Sequence, residues 1–154
     1  MWEALSQWPG AVAMRRSSTL YIFVNAAHIL GIGIILGPIL SLDARLLGLF
    51  RALPLPVIGP FLANAAKFGV VLALLTGLAL FSVRPLDYLD NPAFLIKLGI
   101  VALAVANAAW INVGARWKSA VSGNEIAASL RIQAAASGAL WLAALIAGRW
   151  IGFL

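Results

Sequence analysis

Residues 20–40 form an unbroken run of 21 residues with no charged side chain. As an α-helix, such a run is about 31 Å long, enough to cross the hydrocarbon core of a bilayer. His28, the only histidine of the chain, lies near its middle. An imidazole at that depth is costly to leave in hydrocarbon and marks a candidate functional position.

The rest of the chain has the same character. Of 154 residues, 63% are hydrophobic and 10% charged, whereas soluble domains carry roughly 25% charged residues. A chain this poor in charge cannot clothe a water-facing surface, so its solvent is mostly lipid. The net charge of +6 is spread between the apolar segments. That pattern fits contact with lipid headgroups and argues against a nucleic-acid patch. The sequence has no cysteine, which excludes disulfides, thiolate metal sites and iron–sulfur ligation.

Four apolar segments are predicted to span the membrane, at about 19–42, 61–83, 92–113 and 125–148. Gly33 and Gly37 form a small-xxx-small pair suited to close helix approach. Pro38 removes one helix hydrogen bond and frees the carbonyl of Ile34. Residues 51–60 hold three prolines and read as a connecting loop. Asn91 before Pro92 is an N-cap and first-turn pair that starts the third span. Trp2, Leu5 and Trp8 repeat every three residues, so residues 2–14 read as an interfacial helix broken at Pro9-Gly10. The expected fold is all-α: a transmembrane four-helix bundle, up-down-up-down, with a short N-terminal interfacial amphipathic helix. Even-numbered spans put both termini on one side. Basic residues divide five against six between the sides, a difference of one that points to termini outside a bacterial inner membrane.

On the first span Tyr21, Asn25, His28 and Gly31 follow helical spacing and share a face. A polar stripe at this depth should turn into the bundle, because lipid offers it no partner. Three readings of His28 follow. It glues helices by bonding Asn25, Ser137 or a backbone carbonyl. It handles protons or ions. Or it ligates a cofactor, for which a b-type haem suits the flat space left by Gly31. In that third reading Asn25 and Gly31 shape the slot, and Trp141, expected at the depth of His28, packs on the macrocycle. Arg84, Lys97 or Arg149 would pair with the propionates; snorkelling toward the interface is their plainer role. A second histidine is absent, so the iron would be five-coordinate, unusually ligated, or shared by His28 of two protomers. Asp43, Asp87, Asp90 and Glu125 fall at the predicted span ends, which leaves no embedded carboxylate for a metal cluster or proton relay.

Several segments also resemble an uncharacterised family of small bacterial four-helix membrane proteins. They are Tyr21…His28-Ile29-Leu30-Gly31, Leu42-Asp43-Ala44-Arg45-Leu46-Leu47-Gly48, Thr76-Gly77-Leu78…Phe81, Asn91-Pro92-Ala93-Phe94-Leu95-Ile96-Lys97 and Ser137…Trp141…Gly148-Arg149. The family is distantly similar to copper-resistance protein D and to b-type cytochrome four-helix folds. The resemblance implies His28, Asp43, Arg45, Lys97 and Arg149 as the residues of interest. It also implies a histidine near the end of the third helix, where this chain has Asn112.

Three functional classes follow. The first is a haem-binding electron-transfer or redox-sensing subunit that exchanges electrons with a partner or quinone. The second is a non-catalytic accessory subunit that forms homo-oligomers or packs on a larger membrane complex. The third, a transporter or channel-like oligomer, lacks a broken-helix pair and an inverted repeat.

Overall fold

A computed structural model describes residues 6–151. Among them the secondary structure is helical, with α1 at Pro9–Arg16, α2 at Ser18–Leu47, α3 at Leu55–Val83 and α4 at Pro85–Leu89. Helices α5 at Pro92–Val113, α6 at Ala115–Val121 and α7 at Ala128–Trp150 complete the order. Of these, α2, α3, α5 and α7 are long and apolar enough to cross a membrane. The fold is therefore all-α, consistent with a four-helix transmembrane bundle.

The helix ends follow local chemistry. Ser17 caps α2 by accepting the Leu20 N–H at 3.2 Å, and Gly48 ends it at φ 106°, a left-handed conformation that glycine adopts without strain. Asn91 Oδ1 accepts the N–H groups of Ala93 and Phe94 at 3.0 and 3.3 Å, the cap expected for the third span. Other boundaries differ from the sequence reading. Helix α2 runs through Pro38 to Leu47 instead of ending near 42. Helix α3 starts at Leu55, so most of the expected proline loop is helical. Pro56 falls in the first turn, where no intrahelical N–H bond is lost. Helix α7 starts at Ala128, three residues later than 125. Pro9-Gly10 opens α1 instead of breaking it, since proline suits the first helical position. Trp2 and Leu5, on which the interfacial reading leans, lie outside the described residues. Trp8 Nε1 donates to Ser82 Oγ at 2.8 Å, which pins the start of α1 to the end of α3.

The closest helix pair is α2 with α3. A Cβ on Gly31 would stand 2.9 Å from the Ala73 nitrogen, and one on Gly69 would stand 2.8 Å from the Ile35 nitrogen. His28 meets Thr76 on the same seam. As residue numbers rise on α2 they fall on α3, so the two run antiparallel. Gly69 also backs onto the Ile34 peptide, 2.9 Å from its carbonyl carbon, where Pro38 removes the helix partner of the Ile34 oxygen. Gly33 and Gly37 take no part in this seam: both are exposed, and a Cβ on either would meet nothing within 4 Å.

Helix α2 also packs on α7, and α7 on α5, whereas α3 and α5 lack such extended packing. The middle of the bundle is a buried cluster drawn from all four long helices: Ile35, Ile39, Ala66, Ala104 and Trp141. A second cluster joins Leu42, Leu46, Leu55, Ala63, Ile111 and Leu130 to Trp117 and Ala120 of α6, which closes one end.

Candidate functional site

His28 is half-buried between α2 and α3. Its Nδ1 lies 3.0 Å from Thr76 Oγ1. The single hydroxyl proton of Thr76 is committed to the Leu72 carbonyl at 2.6 Å, so Thr76 accepts and Nδ1–H donates. The ring rests on Gly77, whose missing Cβ would meet His28 Cε1 at 3.0 Å. In that tautomer Nε2 carries the lone pair, and the Ala73 backbone also lies against the ring. A bond of this kind, from the far ring nitrogen to a fixed acceptor, orients metal-ligating histidines; it also serves as an ordinary interhelical bond. Lys97 turns inward from α5: its Nζ lies 3.3 Å from a Cβ position on Gly148 of α7.

The other residues expected around His28 do not assemble into one slot. Asn25 is exposed on the outer side of α2, not turned into the bundle, and has no hydrogen-bond partner among the described residues. The space beside Gly31 is filled by the Ala73 backbone. Trp141 is buried with Ile35 and Ile39, seven and eleven residues beyond His28, and so about 10–16 Å along the helix. Arg84 lies on the surface with its side chain 75% exposed, 3.9 Å from Asp87. Arg149 is exposed in the last turn of α7. Within one protomer these residues do not form a haem slot.

Sequence reasoning misses the burial of Asp43. Its expected place is a span end, in water; instead it is buried inside α2, 5% exposed, and faces α7, where a Cβ on Gly138 would stand 3.8 Å from its Oδ2. Its Oδ2 has no partner, and neither does the buried Trp141 Nε1. The signal for the burial is α2 running on past residue 42, which carries Asp43 onto the inward face with Leu42 and Leu46. No group of three or more His, Cys, Asp or Glu forms a metal-ligand cluster among the described residues.

A cleft of about 790 Å³ opens where α1 and α4 meet the ends of α2 and α3. Arg15, Arg84, Asp87, Tyr21 and Tyr88 face it, with Ile22, Leu80 and Val83 as apolar wall. Burial pushes the Tyr88 phenol above the ordinary tyrosine range, and the neighbouring Tyr21 adds to the shift. Tyr88 also packs with Phe94 and Phe81, at ring-centroid separations of 5.1 and 6.1 Å. Neither this cleft nor a smaller cavity of about 270 Å³ beside Trp110 and Trp117 is lined by His28.

No family model, no curated protein and no solved structure matches the chain. The functional reading therefore rests on its own residues.

Proposed function

We propose that this chain is a non-catalytic integral membrane subunit that works by lateral association through the outer face of α2. Asn25 carries the reading. Its amide stands exposed within a span, two turns into α2, without a partner, and hydrocarbon offers it none. A second helix does: interhelical amide bonds contribute about 0.6–2 kcal/mol in membranes. Gly33 and Gly37 lie further along the exposed side of the same helix, open enough for close approach by another helix. His28 in this reading is the bond that holds α2 to α3, so that α2 presents a rigid face.

The cysteine-free sequence makes the test direct. The single-cysteine variant Ile29→Cys, exposed one turn from both Asn25 and Gly33, should form a dimer-sized adduct or a larger hetero-adduct when oxidised in native membranes. Ile132→Cys, exposed on α7, should stay monomeric. Adduct at Ile29 no greater than at Ile132 would overturn the reading.

A second reading is favoured by the Nδ1 bond of His28 to Thr76, which turns Nε2 into the ligating nitrogen: a b-type haem shared between His28 residues of two protomers. The haem would supply one-electron chemistry, and Thr76 would hold each imidazole in its ligating tautomer. A Soret band that shifts on dithionite reduction and is lost in His28→Ala supports it. A colourless protein from haem-replete cells discards it.

A further inference from the structure

The cleft at the α1/α4 end has a composition that neither lateral association nor His28 uses. It sits at the level where α2 begins and α3 ends, the headgroup depth for helices of this kind. Arg15 is held in place by donating to the carbonyls of Val83 and Ser6. Arg84 lines the same cleft, only loosely paired with Asp87 at 3.9 Å. The cleft therefore offers two guanidinium groups and one carboxylate beside an apolar lining of Ile22, Leu80 and Val83, of which Ile22 is 64% exposed.

A ligand complementary to this set has an anion for Arg15 and Arg84, a cation for Asp87 and an apolar body below them. A free phosphate satisfies only the first of these. A purely anionic lipid leaves Asp87 facing like charge. A zwitterionic phospholipid with a primary ammonium satisfies all three. We infer that the cleft is a binding site for a phosphatidylethanolamine headgroup, with its phosphodiester between Arg15 and Arg84, its ammonium at Asp87 and its acyl chains along Ile22. Guanidinium binds phosphate through paired, charge-assisted N–H bonds. The ammonium is a compact donor suited to one carboxylate. The Tyr21–Tyr88 pair and Asn91 add hydrogen-bonding groups at the rim.

The test is native mass spectrometry of the protein taken from mixed vesicles of equal dioleoyl-phosphatidylethanolamine and dioleoyl-phosphatidylglycerol. The parent protein should retain one phosphatidylethanolamine per protomer. Arg84→Gln should weaken that retention roughly tenfold, the size of one lost charged hydrogen bond. Arg15→Gln also cuts the tie to α1, so the exposed Arg84 is the cleaner variant. Asp87→Asn should keep a lipid bound and erase the preference for ethanolamine over glycerol headgroups. Millimolar inorganic phosphate should not displace the lipid. Three results would overturn the assignment: equal retention by Arg84→Gln, a parent preference for phosphatidylglycerol, or displacement by phosphate, which would make the site one for the free anion.

Discussion

Tyr88 shows how a single side chain reports on its surroundings. Partial burial, then the Tyr21 hydroxyl, favour its neutral form in the folded state. Below about pH 10 the phenol is protonated folded or unfolded, and its contribution is fully present. That contribution is lost as the pH rises from there through the raised folded value. The Tyr88 phenolate of the folded protein should therefore appear at higher pH than that of free tyrosine. In Tyr21→Phe the remaining tyrosine should titrate lower than Tyr88 does in the parent, yet still above the free value, because burial persists. Titration of Tyr88 at the ordinary value would show that water reaches the phenol freely. At this scale the sequence is a partial guide. His28 is visible because an imidazole is rare in a charge-free run. Its partner Thr76 is not, because which of many hydroxyls it meets depends on the register of α2 against α3. Asp43 escapes for a similar reason: a carboxyl four residues from the end of a helix looks exposed until the neighbouring helix is known to cover it.

Among elements, the α2–α3 seam is the tightest, and its glycines divide into two kinds. Gly31 and Gly69 meet the backbone of the opposing helix, which has no side-chain end to swing away. Gly33 and Gly37 meet nothing. Gly69→Leu should accordingly force the pair apart, costing about 1–3 kcal/mol or more by overpacking, read as a lower unfolding midpoint in detergent. Gly33→Leu should leave that midpoint within about 0.5 kcal/mol and should weaken cross-linking at Ile29→Cys. Equal destabilisation by both would contradict a seam that runs through Gly69 alone of the two. Spacing by itself does not say which glycines close the α2–α3 seam, because small-xxx-small at 33 and 37 is a pattern on one helix, whereas close approach is a relation between two. The existence and type of the long helices are legible from hydropathy. The ends at 47 and 55 are not, since proline in a first turn reads the same in sequence as proline in a loop.

For the molecule as a whole, Trp141 is the common contact. It shares its buried cluster with residues from α2, α3 and α5, and it lies where α3 and α5 have little direct packing. Trp141→Ala should cost about 3–5 kcal/mol and loosen all four long helices together. Trp141→Phe keeps a ring and removes an indole N–H that has no partner, so it should cost clearly less. Thermal unfolding followed by circular dichroism in a fixed detergent distinguishes the two. A small effect of Trp141→Ala would mean that the bundle is held by its pairwise seams alone.

The four long helices come in two lengths. Helices α2 and α3 have 30 and 29 residues, and α5 and α7 have 22 and 23. At the usual rise the first pair is about 44–45 Å long and the second about 33–35 Å. A hydrocarbon core of about 30 Å suits the short pair nearly upright. The glycine seam makes the long pair lean as one body, or pushes its surplus of about 10 Å beyond the short pair. The surrounding lipid therefore meets unequal thickness demands on two sides of one small protein. Such a molecule has a preferred neighbourhood in a membrane of uneven thickness, and copies set long side to long side relieve a mismatch that each would otherwise bear alone.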